Sequence, residues 1–244
     1  MTRRPAGWHA ARVVAVEKET ATARRIELDI ASWPGNDAGS HLDIRLTAPD
    51  GYQASRSYSI ASSGDSTRVV LAVDEVPNGE VSPFLVEELR VGDMVEVHGP
   101  LGSYFIWEPG SSNRQVQLIA GGSGVVPLFA MIDAHDRSRD AAPFRLLYSV
   151  RSPGDRFFST EIDAIASRGL VDVTYVYTRT APSGWRTAPG RVTRETLQAA
   201  TWPAALEPMI YICGPTRFVE TVADWLTALG HAPSAIRTER FGGG

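Results

Sequence analysis

The sequence predicts a two-domain β plus α/β architecture, a six-stranded antiparallel barrel followed by a doubly wound parallel sheet. Two patterns along the chain predict it. In the first half, short segments carry apolar residues in alternation, separated by Gly, Pro and Asn turn signals. In the second half, strand-like apolar runs alternate with helix-like segments, the βαβα rhythm of a parallel sheet. Between them lies the polar stretch Glu108-Pro109-Gly110-Ser111-Ser112-Asn113-Arg114, which reads as a linker. The expected domains are therefore 1–110 and 114–244.

In the first half, strands are expected at 12–16, 22–30, 41–46, 58–61, 68–73 and 94–97. The run His41-Leu42-Asp43-Ile44-Arg45-Leu46 shows the period most plainly, with every second residue apolar. Pro49-Asp50-Gly51 and Pro77-Asn78-Gly79 mark turns. Only residues 82–89 read as helical, with Ser82 placed to cap and Pro83 at the first helical position. In the second half the expected strands are 115–120, 145–150, 171–178 and 209–213. Helices are expected at 125–136, 159–167, 194–199 and 217–229.

A chain of 244 residues is long enough for two cores. A net charge of −4 offers no basic stripe, so no nucleic-acid partner is expected. The single cysteine, Cys213, excludes an intrachain disulfide, a tetracysteine zinc site and a four-thiolate iron–sulfur cluster within this sequence. No metal site is expected. The first nine residues hold Arg3 and Arg4 but no apolar run behind them, so no signal peptide is read there. The longest apolar stretch, 118–132, is interrupted by three glycines and a proline and does not read as a membrane span. A cytoplasmic monomer is the expectation.

Three short motifs carry candidate chemistry. In Gly121-Gly122-Ser123-Gly124-Val125-Val126-Pro127 a strand ends in glycines and a helix follows at once. Bare backbone N–H groups and a helix N-terminus suit a diphosphate; the alternative is a tight turn with no ligand, because the spacing departs from G-x-G-x-x-G. In Arg56-Ser57-Tyr58-Ser59, alternation puts Arg56 and Tyr58 on one face and the serines on the other. An arginine fork grips phosphate and a tyrosine stacks on a flat heterocycle; the alternative is an ordinary half-polar strand. In Cys213-Gly214-Pro215 a strand delivers a thiol to the carboxyl edge of the sheet, where such folds place ligands. The alternative there is a small buried hydrophobe. A hydrolase built on His41 or His98 finds no nucleophile motif beside it.

Taken in order, Arg56-x-Tyr58-Ser59, Gly79-x-x-Ser82, Gly99-Pro100-Leu101-Gly102-x-x-Phe105, Gly121-Gly122-x-Gly124-x-x-Pro127, Cys213-Gly214-Pro215 and Glu239-x-Phe241 resemble the ferredoxin–NADP reductase superfamily. The resemblance runs from about Ala11 to Phe241. It implies an FAD-binding barrel and a Rossmann-like NAD(P)-binding domain, and a reductase that takes hydride from NADPH or NADH.

Residue by residue, the resemblance implies that Arg56 binds the flavin diphosphate, Tyr58 packs on the isoalloxazine and Ser59 hydrogen-bonds near its N5, with Ser57 beside them. Val73, Gly79, Val81 and Ser82 complete the flavin site, and Gly102 favours FAD over FMN. Gly121, Gly122, Ser123, Gly124 and Pro127 would hold the dinucleotide, with Cys213, Gly214 and Pro215 beside the nicotinamide. Ser59, Cys213 and Glu239 are the implied catalytic positions, and Phe241 would shield the flavin. Thr178 and Arg179, with Arg151 and Arg186 as further candidates, resemble the residues that hold a 2′-phosphate, so NADPH is favoured. With one thiol in the sequence, electrons are expected to leave singly to a separate ferredoxin or oxygenase component, and Arg3, Arg4 and Arg12 are candidates for a docking patch. Two other readings are an NAD(P)H:flavin reductase that releases reduced flavin, and a non-catalytic nucleotide-binding subunit of a larger redox complex.

Overall fold

The computed structural model describes residues 6–242. The chain divides into two compact units, Met1–Glu108 and Pro109–Gly244.

The first unit holds six antiparallel strands: β1 (Gly7–Lys18), β2 (Ala23–Asp29), β3 (His41–Thr47), β4 (Gln53–Ser59), β5 (Arg68–Asp74) and β6 (Met94–Leu101). They hydrogen-bond in the order β4-β3-β6-β1-β2-β5. Just beyond β4, an Ile60–Leu71 bridge and the Ala61 N–H to Val70 carbonyl bond of 2.7 Å bring the two outer strands together and curl the sheet into a barrel. Alternation does the sorting. Leu42, Ile44, Leu28, Val69, Leu71 and Val97 point inward and are essentially buried, while Asp43, Arg45 and Glu96 stay outside. Each such aliphatic side chain contributes about 1.5–3 kcal/mol by leaving water.

Two elements differ from the sequence expectation. β4 begins at Gln53 rather than at residue 58, because pairing along the full length of β3 extends it through a polar run in which only Ala54 is buried. The expected helix is a single π-helical turn, Phe84–Glu88, anchored by the buried Leu85 and Val86. Ser82 does not cap it: its hydroxyl accepts from the Val76 N–H at 3.0 Å, closing the preceding loop instead.

The second unit holds five parallel strands, β7 (Val116–Gly121), β8 (Phe144–Val150), β9 (Val171–Tyr177), β10 (Met209–Pro215) and β11 (Ile236–Phe241). The helices are α1 (Val125–Ser138), α2 (Ser159–Ser167), α3 (Arg194–Ala200) and α4 (Thr216–Ala228). The order β11-β10-β7-β8-β9 makes β7 and β10 central neighbours although they are distant in sequence. Strand order reverses at that pair, and open α/β sheets place ligands at the carboxyl ends of such a pair. β11 is not among the expected strands; it has no apolar alternation and forms by pairing with β10. No described helix is long and apolar enough to cross a membrane.

Candidate functional site

In the barrel, β4 presents the Arg56–Ser59 segment against β3, with Ile44 opposite Arg56, Asp43 opposite Ser57, Leu42 opposite Tyr58 and His41 opposite Ser59. Tyr58 is half-buried and packs on the barrel core, and burial pushes its phenol up to about 12, so the hydroxyl stays protonated at physiological pH. Arg56 is exposed and pairs with Glu80 while donating to the Ser55 carbonyl at 2.7 Å. Ser57 lies on the other face, its hydroxyl donating to Asp43 at 2.5 Å.

The Gly79–Ser82 segment follows a tight turn. Gly79 N–H donates to the Val76 carbonyl at 2.8 Å across Pro77 and Asn78, and Asn78 has φ 62. Proline followed by a positive-φ Asn is the sequence a type II turn requires. A Cβ on Gly79 would lie 2.9 Å from the Val76 carbonyl oxygen and 3.1 Å from the Ser82 hydroxyl, so the loop closes only around a bare backbone. Val81 and Val73 are buried in the barrel core, which leaves only their backbones to meet a ligand. Gly102 has φ +100 and lies against the His41 ring.

In the second unit, β7 ends at Gly121, a 3-10 turn covers Gly122–Gly124, and α1 begins at Val125. A Cβ on Gly124 would sit 2.2 Å from the Cys213 carbonyl oxygen. The loop after β7 therefore rests directly on the end of β10, which brings the Gly121–Gly124 and Cys213–Pro215 segments together. Cβ atoms on Gly121 and Gly214 would lie 2.8 and 2.9 Å from the Phe218 ring, which spans both. α1 and α4 both start at this edge, with no acidic residue in either first turn and no side-chain cap, so two positive helix ends face it. Pro127 is buried inside α1.

Cys213 is buried, and burial, then the charge of Glu239, drive its thiol well above the usual range. It is a neutral thiol rather than a nucleophile. Glu239 stands opposite it in the β10–β11 register, and burial lifts its carboxyl to about 7. Phe241, 40% exposed, ends β11 opposite Pro215.

At the other side of the sheet, the Thr178 N–H donates to the Val150 carbonyl at 2.8 Å and the Arg179 N–H to the Arg151 carbonyl at 2.9 Å. Arg151 and Arg179 are thus neighbours, both exposed. Trp185, which precedes Arg186, packs edge-on against Tyr177 at 5.0 Å, beside the same strand end. Arg3 and Arg4 lie outside the described residues, and Arg12 is exposed on β1. Among the described residues there is no group of three His, Cys, Asp or Glu able to hold a metal.

Sequence reasoning passes over Glu80, which engages Arg56, Tyr52, which engages Glu80, and Phe218, which roofs two of the glycines. Glu80 occupies an unassigned slot of Gly79-x-x-Ser82, and Phe218 lies one turn beyond Cys213-Gly214-Pro215. Only the contacts that each glycine and arginine makes reveal them.

Comparison with known proteins matches residues 12–106 to the oxidoreductase FAD-binding domain and residues 118–224 to the oxidoreductase NAD-binding domain. The chain is 29% identical over 206 residues to the toluate 1,2-dioxygenase electron transfer component of Pseudomonas putida, covering 83% of this chain and 58% of that protein. It is 26% identical to the ferredoxin–NAD(P)(+) reductase component of the naphthalene 1,2-dioxygenase/salicylate 5-hydroxylase systems of a Ralstonia species, covering 96% and 70%. Among solved structures, the ferredoxin reductase in carbazole 1,9a-dioxygenase superposes with a TM-score of 0.82 at 26% identity, covering 98% of this chain and 70% of the other. This chain thus spans well under the full length of these relatives.

Proposed function

The chain belongs to the ferredoxin–NADP reductase superfamily, and from that premise we propose that it is an FAD-dependent reductase that accepts hydride from NADPH, or NADH, and delivers electrons singly to a separate ferredoxin or oxygenase component. The observation that carries the reading is the meeting of the Gly121–Gly124 turn and the Cys213–Pro215 segment at the switch point of the parallel sheet. Bare backbone, two helix N-termini and a buried neutral thiol fit a dinucleotide diphosphate with its uncharged nicotinamide end nearby.

Bound FAD supplies the conversion from two-electron to one-electron chemistry, and the chain supplies binding, orientation and proton control. Arg56 holds the flavin diphosphate, with the Gly79–Ser82 loop giving it a close backbone approach. Tyr58 would offer the flavin a neutral aromatic face, and Ser59, next to it at the end of β4, would offer a hydroxyl. Cys213 and Ser59 orient rather than attack. Glu239, which titrates near neutrality, holds or yields a proton beside Cys213. Phe241, which ends β11 opposite Pro215, would stand beside the segment that receives the nicotinamide. Arg151, Thr178 and Arg179 take the 2′-phosphate, and no acid ends β8 to hold a ribose hydroxyl, which favours NADPH. Since these 244 residues contain one thiol, the electrons pass to a group beyond them.

The test is an anaerobic stopped-flow mixing of the FAD-loaded protein with NADPH and with NADH. Rapid bleaching by NADPH and slower bleaching by NADH is the expected result. A flavin that neither nucleotide reduces, or a protein that takes up no FAD, overturns the reading.

A further inference from the structure

Arg56 is already engaged. Its guanidinium donates to the Glu80 carboxylate on one side and to the Ser55 carbonyl at 2.7 Å on another. The Tyr52 hydroxyl donates to the second Glu80 oxygen at 2.6 Å, so the carboxylate is held from two directions. Those hydrogen bonds, Tyr52's first and then Arg56's, keep the carboxyl below the usual carboxylate range, and it is ionised at neutral pH. Glu80 meets Arg56 through one carboxylate oxygen, an anionic acceptor of the kind a phosphate oxygen also offers a guanidinium.

The backbone around Glu80 is fixed. Gly79 closes the turn onto Val76, Val81 is fully buried in the core, and Ser82 is buried with its hydroxyl on the Val76 N–H. The Glu80 side chain is nonetheless about half exposed. It can leave Arg56 by rotating into water, without any movement of the loop.

We infer that Glu80 is an internal competitor for the FAD diphosphate, occupying one N–H of the Arg56 guanidinium and weakening the hold of Arg56 on the diphosphate. This rests on the reading that Arg56 holds the diphosphate.

The experiment is a fluorescence titration of the flavin-stripped full chain with FAD, and separately with riboflavin, which carries no phosphate. Glu80→Gln is expected to tighten FAD binding about two- to fivefold, the range of one exposed charge pair. Tyr52→Phe, which frees one side of the carboxylate, is expected to shift FAD binding the same way by a smaller factor. Riboflavin binding is expected to be the same in all of them, and the gain to shrink in high salt. Unchanged or weakened FAD binding in Glu80→Gln overturns the inference, weakening meaning that Glu80 orients Arg56 instead. So does an equal gain when Glu80→Gln is added to Arg56→Ala, because Glu80 would then act by repulsion alone. If Arg56→Ala itself leaves FAD affinity unchanged, the assignment of Arg56 falls, and the inference with it. If Arg56→Ala weakens FAD and Glu80→Gln does not tighten it, only the inference falls.

Discussion

Replacing Gly124 with alanine tests whether the dinucleotide loop depends on its contact with β10. The backbone at this position, φ −61 and ψ −7, suits alanine without strain. Only the neighbour objects. The new methyl would lie 2.2 Å from the Cys213 carbonyl oxygen, 2.5 Å from its carbonyl carbon and 2.7 Å from the Gly214 nitrogen, where ordinary contact begins at 3.4 Å. All three atoms are backbone, so no rotamer change relieves the clash. The loop and strand end must part by about 1 Å. Overpacking of this kind costs about 1–3 kcal/mol of stability, and a displacement of ~1 Å at a binding site commonly costs on the order of a hundredfold in rate.

Gly122 is the control. It has φ +57, and a Cβ there would meet nothing within 4 Å, so alanine carries only backbone strain, about 1 kcal/mol. In steady-state and stopped-flow assays with NADPH, Gly124→Ala is expected to lower kcat/KM roughly 10- to 100-fold while retaining wild-type flavin content, with Gly122→Ala much nearer wild type. A wild-type kcat/KM in Gly124→Ala, or a larger loss in Gly122→Ala, refutes the argument from close approach.

Ser59→Ala is expected to slow flavin reduction by about tenfold or more while FAD content stays full, as read by single-turnover bleaching; unchanged bleaching removes Ser59 from the reaction. Arg179→Ala is expected to raise KM for NADPH about tenfold and leave NADH untouched, and an equal effect on both nucleotides counts against a 2′-phosphate contact. Cys213, buried and protonated, is expected to resist alkylation at pH 8 in the folded protein and react on unfolding; rapid labelling of the native chain contradicts that. Burial raises Glu239 from 4.5 to about 7, so the folded chain holds this proton more tightly than the unfolded one and loses stability as pH rises through that window. Glu239→Gln is expected to exceed wild type by roughly 1–3 kcal/mol above pH 7 and to match it below about 4.5, read from melting temperatures across the range; parallel curves would sink the assignment.

The barrel strands with strong alternation were legible because each repeats one inward apolar residue for one outward polar one, as 41–46 does. The start of β4 and the whole of β11 were not, and for a shared reason. Gln53-Ala54-Ser55-Arg56-Ser57 and Arg237-Thr238-Glu239-Arg240 bury little, so nothing in their pattern distinguishes strand from loop. Each is an edge strand held by a single neighbour, β3 or β10. Their conformation is fixed by long-range hydrogen bonding that no local window contains. Ser82 shows the complementary failure. A serine before a proline at a helix start reads as a cap, yet its hydroxyl is committed to Val76, six residues back, because the turn at Pro77-Asn78 brings that N–H to it.

The glycine motifs were legible as glycines, but the reason for each one was not. Gly124 is required by the Cys213 carbonyl, 89 residues further on, and Gly121 and Gly214 by one phenyl ring. Those neighbours meet only because the strand order sets β7 beside β10. On the proposed reading, the two units would hold their ligands with different chemistry. The barrel offers side chains, Arg56 and Tyr58, projected from an edge strand and open to competition from a neighbour such as Glu80. The parallel sheet offers backbone, packed too closely for a side chain at Gly121, Gly124 and Gly214 and fixed by the core beneath it. Substitutions should follow that division. Truncating a side chain in the barrel is expected to change flavin affinity gradually, because exposed charged contacts are worth little individually. Adding a single methyl at Gly124 is expected to weaken nucleotide use sharply, because close-packed backbone has no alternative arrangement nearby, whereas a methyl at Gly122 meets open space.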